Sequence, residues 1–128
     1  MSVKILFLVA FGGALGAIFR YVMGSSIGHV IHVGFPYSTL VVNVAGSFAL
    51  GLLTEIIDLN WTLGQELRSF LAVGVLGSFT TFSAFSQDVV FLIERGELTS
   101  AGLYIVLSVV LSIAGVFAGM MLFRQILV

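Results

Sequence analysis

The stretch 71–93, "LAVGVLGSFTTFSAFSQDVVFLI", decides the fold. Its two ends are greasy enough for lipid. Its middle, Gly77–Asp88, carries five hydroxyl side chains, an amide and a carboxylate, with three phenylalanines threaded among them. About 20 apolar residues are needed to cross the hydrocarbon as a helix, so the segment is a span with polar chemistry at membrane depth. Gly74, Gly77 and Ser78 weaken helix, and Thr80, Thr81 and Ser83 can bond their own backbone. A local break around Gly77–Thr81 is therefore predicted. At that depth freed carbonyls and amides are tolerated only where they face protein, water or an ion, and broken helices are a recurrent device for ion sites.

The rest of the chain agrees with a membrane location. Of 128 residues 59% are hydrophobic and 9% charged, more apolar side chain than a soluble domain of this size can hide. Four segments have spanning length: Val3–Met23, Tyr37–Ile57, Leu67–Ile93 and Ser100–Phe123. The expectation is an all-α integral membrane protein, one four-helix domain over residues 1–128. The N-terminal "MSVKILFLVAFGGALGAIF" continues apolar with no evident cleavage site and reads as a retained span. Pro36 marks the first loop, "ERGEL" is a tight polar turn, and Trp61 in the second loop suits headgroup depth. There is no cysteine, which excludes disulfides and thiolate metal sites. A formal charge of −1 offers no basic patch for nucleic acid.

Four spans place Lys4, Arg68 and Arg124 on one side and Arg20 and Arg95 on the other. Three cations against two is almost no positive-inside bias. Two readings are open: insertion in both orientations, leading to an antiparallel homodimer, or a single orientation fixed by Lys4 and the loops.

Small residues four apart (Gly12 and Gly16, Gly24 and Gly28, Ser47 and Gly51, Gly115 and Gly119) read as close helix packing. Asn43 places an amide in the second span, one turn before Ser47. Tyr104, Ser108 and Ser112 fall at i, i+4 and i+8, a polar stripe on the fourth span. Interhelical hydrogen bonds would account for each group singly; a wet or ion-bearing track would account for the stripe together. Phe82 and Phe85 share a face, with Thr81, Ser83 and Ser86 around them. They are either packing residues or rings whose positive edges favour a small anion in a narrow path. Arg20 ends the first apolar stretch, as a snorkelling cation or as an attractor of anions at a vestibule. Glu55, Asp58, Glu66, Glu94 and Glu97 read as solvated charges near span ends. Asp88 lies deeper, hydrogen-bonded and turned away from any anion path. His29 and His32, with no third ligand in reach, are surface histidines.

With "GALGAIFRY", "TLVVNVAGSFALG" and "GVLGSFTTFSAFS" on the page, the chain resembles the Fluc (CrcB) family of fluoride channels along essentially its whole length. The resemblance implies a passive, selective fluoride channel that confers fluoride resistance, an antiparallel dual-topology homodimer in the bacterial inner membrane. It implies pore rings at Phe82 and Phe85, with Asn43 coordinating the ion or orienting the rings. It further implies an anion track along Tyr104, Ser108 and Ser112, Arg20 at an aqueous mouth, and a structural Na+ at the dimer centre held by backbone carbonyls at Gly77 and Thr80. Thr81 and Ser83 supply hydroxyls at the break. Two positions depart from the family pattern: Ser78, where glycine is common, and Asp88, where glutamate is frequent. Two rivals stand beside this reading. A proton-coupled small exporter needs a carboxylate deep in the first span, which has none; a non-transporting scaffold leaves the hydroxyl stripe and Asn43 unexplained. No nucleophile or acid–base pair argues for an enzyme.

Overall fold

In the computed structural model, which describes residues 2–30, 34–58 and 63–127, helix begins wherever the apolar runs begin. The elements are α1 (Val3–Val30), α2 (Tyr37–Asp58), α3 (Gln65–Arg68), a π-helical stretch (Ser69–Leu76), α4 (Gly77–Phe79), α5 (Phe82–Glu94) and α6 (Leu98–Leu127). The third span thus runs from Gln65 to Glu94 in pieces. Four helices are long and apolar enough to cross a membrane; the chain is a multi-pass membrane protein. Trp61 and His32 lie outside the described residues.

α1 and α6 are longer than the apolar runs suggest, at 28 and 30 residues. At 1.5 Å per residue they extend roughly 42 and 45 Å. The turn between α5 and α6 is fixed by Gly96, whose positive φ of 77° suits the left-handed position that ends a helix. Gly96 N–H donates to the Ile93 carbonyl and Glu97 N–H to the Leu92 carbonyl, at 3.0 and 2.9 Å.

Packing is strongest between α2 and α6 and between α1 and the π-helical stretch, and glycine makes both seams. A Cβ on Gly51 would stand 2.1 Å from the Val116 carbonyl oxygen, and one on Gly16 2.1 Å from that of Val75. Backbones can approach this closely only without side chains between them. Gly24 and Gly28 make no such approach within the chain: nothing lies within 4 Å of a Cβ at either position.

Charged groups tie the ends of the helices together. Lys4 Nζ pairs with Glu66 at 3.2 Å, and Arg95 donates to the Gly34 carbonyl at 3.0 Å. Glu55 corrects the expectation of a solvated charge. It is 1% exposed on the face of α2 that packs against α6, where the Arg124 guanidinium donates to it. The sequence around it, "TEIID", resembles a span end, but its partner is 69 residues away.

Candidate functional site

The break falls at Thr80 and Thr81, which are extended (φ −82°, ψ 159° and φ −153°, ψ 114°). It lies within the predicted window, although the glycines before it act differently. Gly74 sits inside the π-helical stretch and packs against α1, whereas the threonines interrupt the helix. Thr80 remains tethered backward, its N–H and Oγ1 both donating to the Leu76 carbonyl at 3.1 Å. Thr81 begins the next helix as its N-cap, with Oγ1 accepting from Ala84 N–H at 3.1 Å.

Asn43 on α2 closes the gap. Its Oδ1 accepts the Thr81 N–H at 2.8 Å, and its Nδ2 donates to the Thr81 carbonyl at 3.0 Å. Gly46, one turn further on, leaves the space the break needs: a Cβ there would stand 2.3 Å from the Thr80 methyl. These bonds also redirect donors. In continuous helix Thr81 N–H would serve the Gly77 carbonyl and Ala84 N–H that of Thr80. The first goes to Asn43 and the second to Thr81 Oγ1, so the helix no longer supplies donors to the carbonyls of Gly77 and Thr80.

An open groove of about 430 Å³ lies over the break between α2, the third span and α6. Asn43, Gly77, Thr80, Thr81, Phe82, Phe85, Ser108 and Ser112 all line it, so residues picked from three separate spans converge. The Phe82 and Phe85 rings are 5.4 Å apart between centroids and tilted by 45°. Phe82 is 78% exposed, whereas Phe85 is buried in a core with Leu40, Leu92, Ala101 and Tyr104. Phe85 thus both packs the core and borders the groove.

The hydroxyl stripe divides into two parts. Ser112 and Ser108 line the groove. Ser108 Oγ is buried and has no protein hydrogen-bond partner, unlike Ser86 Oγ, which donates to the Phe82 carbonyl at 3.0 Å, and Thr54, which donates to Leu50 at 2.8 Å. Burying a hydroxyl without a partner is costly. Tyr104 stands behind Phe85, ring centroids 5.2 Å apart, and its hydroxyl donates to Asp88 Oδ2 at 2.9 Å.

Besides Tyr104, two of the expected residues lie apart from the groove. Ser83 is exposed beside the break, its Oγ 3.3 Å from Thr81 Oγ1. Arg20 is half-buried on α1 and does not line the groove within one chain. Sequence reasoning missed the stapling role of Asn43 and the space reserved by Gly46. Their spacing on one helix face, one turn apart, was the available signal.

Known proteins offer a comparison. The family described as "CrcB-like protein, Camphor Resistance (CrcB)" matches residues 7–120. A protein of Rhodospirillum centenum named "Fluoride-specific ion channel FluC" is 49% identical over 121 residues, covering 94% of this chain and 96% of the relative. One of the same name from Agrobacterium fabrum is 50% identical over 119 residues, covering 93% and 95%. These relatives are named as ion channels and not as enzymes.

Proposed function

The chain belongs to the CrcB family, and from that premise we propose that it is a passive, selective fluoride channel of the bacterial inner membrane that confers fluoride resistance. The observation that carries this reading is the buried, unpartnered Ser108 hydroxyl in a groove lined by Ser112, Phe82 and Phe85. A small, strongly hydrated anion must exchange its water for other donors, and a serine with no protein acceptor has its proton to give. Phenylalanine edges add weak positive potential without a fixed charge, which favours an anion and still lets it leave. Asn43 serves in two ways: it holds the break at Thr81 and keeps one Nδ2 proton beyond that bond.

The working unit is an antiparallel dual-topology homodimer. Supporting it are the near-balance of cations, three against two, and the open groove, whose Phe82 ring is left uncovered by its own chain. A second copy completes the walls of the groove and brings Arg20 to an aqueous mouth. A structural Na+ belongs at the centre of the dimer. The carbonyls of Gly77 and Thr80 fit it, since hard cations take oxygen ligands and these two have lost their helical donors. When bound, the ion supplies charge compensation for carbonyls at membrane depth.

Purified protein in liposomes, followed with a fluoride electrode beside a chloride control and with the potential clamped by potassium and an ionophore, tests the proposal. Rapid fluoride loss without chloride loss is expected. Retention of fluoride by vesicles holding folded protein would return the exporter and the scaffold to the front.

A further inference from the structure

Arg124, in the last turn of α6, is an exposed cation held from below. Its Nε donates to the Glu55 carboxylate, which is buried between α2 and α6. That single bond fixes the side chain and leaves both Nη groups without a protein acceptor among the described residues. A snorkelling arginine is free to choose its rotamer; this one is set in place by a buried anion. Asp58, one turn beyond Glu55 on the same face of α2, is exposed and near enough to act electrostatically on the same guanidinium. It is the last residue of α2. Arg124 and Asp58 therefore stand together at headgroup depth, where both helices leave the membrane. Lys4, at the same end of the molecule, is already paired with Glu66.

The free Nη groups suit a phosphate, which a guanidinium binds through two parallel hydrogen bonds. A bare phosphate is the wrong guest, because one guanidinium between two carboxylates leaves the cluster net negative. A phosphate that brings its own ammonium matches both charges. Below Arg124, on the same face of α6, Met121 and Phe117 are 53% and 62% exposed and give acyl chains a lane toward the hydrocarbon. We propose that Arg124 and Asp58 bind the headgroup of a phosphatidylethanolamine-type lipid, the phosphate on Arg124 and the ammonium on Asp58. Glu55 acts through Arg124 and is a positioning residue. The site lies apart from the groove and is independent of what crosses it.

Native mass spectrometry of the detergent-solubilised protein, titrated separately with ethanolamine, choline and glycerol phospholipids of equal chain length, tests the site. The ethanolamine lipid should be retained about threefold more tightly than the choline lipid, whose ammonium has no N–H for Asp58, as one exposed ion pair would give. The anionic glycerol lipid should be retained least. Asp58→Asn should erase the preference and raise the glycerol lipid to the level of the ethanolamine lipid. Glu55→Leu/Arg124→Leu, which keeps the two helices packed, should hold all the lipids alike. A parent that retains the glycerol lipid as tightly as the ethanolamine lipid overturns the proposal, since that is the behaviour of a bare surface cation. An Asp58→Asn protein that keeps the parent's order also overturns it, and decides alone if the leucine pair does not fold. Displacement of the bound lipid by inorganic phosphate would assign Arg124 to the free ion and overturn the lipid.

Discussion

Asn43 and Thr81, 38 residues apart in sequence, exchange two hydrogen bonds, with the Thr81 N–H and carbonyl both engaged by one amide. The interruption of the third span is thus held by a side chain of the second. Asn43→Ala leaves both backbone groups without a partner and should cost ~2 kcal/mol, read as the shift in equilibrium unfolding in mixed micelles. Asn43→Asp keeps the acceptor for Thr81 N–H and loses the donor, so a smaller loss is expected. Equal losses would mean that the bond from Thr81 N–H to Oδ1 does not matter.

Phe82 and Phe85 should separate function from stability. Phe85→Ala opens a core shared with Leu92 and Tyr104, costing about 3–5 kcal/mol. Phe82→Ile removes a ring that its own chain hardly covers and should leave the unfolding of the monomer unchanged. Either ring replaced by isoleucine should stop fluoride efflux from liposomes. A Phe82→Ile protein that conducts normally would confine that ring to packing or lipid contact.

Glu55 and Arg124 are an unequal pair, the first almost wholly buried and the second with its side chain 57% exposed. Arg124→Ala strands a buried carboxylate, whose second oxygen already has no hydrogen-bond partner, and should lower the thermal midpoint sharply. Glu55→Gln keeps an acceptor without the charge and should lower it less. Replacing both with leucine should recover most of the loss, since a well-packed apolar pair commonly substitutes for a buried ion pair. Differential scanning fluorimetry in detergent ranks the three.

Glycines of the two kinds should respond oppositely to alanine. Gly51→Ala sets a methyl against the Val116 backbone and should cost about 1–3 kcal/mol through overpacking. Gly28→Ala meets nothing and should stabilise the helix by roughly 0.5–1 kcal/mol. If Gly28→Ala instead impairs a dimer seen by crosslinking, that face of α1 meets a second subunit.

The features legible in the sequence were those written locally. Span number followed from hydropathy over about 20 residues, and the break from threonines whose side chains compete for the backbone. The lining of the groove followed from periodicity, which put Ser108 and Ser112 on one face of α6 and Phe82 and Phe85 on one face of α5. Missing from that reading was everything decided by a distant partner. Glu55 looks like a loop residue until Arg124 is beside it. Tyr104 looks like a free donor until its O–H is seen to donate to Asp88. Gly24 and Gly28 share the spacing of Gly12 and Gly16, yet no atom of the chain lies within 4 Å of a Cβ at either, since helix–helix register is a property of two sequences at once.

The length of α6 couples the protein to the membrane it sits in. Hydrocarbon is about 30 Å thick, and a helix that exceeds it must tilt, emerge or thicken the lipid around it, at a modest cost per ångström of mismatch. At 30 residues α6 exceeds it by about 15 Å. Its seam with α2 carries Ser108 and Ser112 on the same rod, so any tilt forced by a thinner bilayer turns the hydroxyls together with the helix. Acyl-chain length thereby becomes a physical control on the groove, and vesicles of short- and long-chain lipids would hold the same protein at different settings.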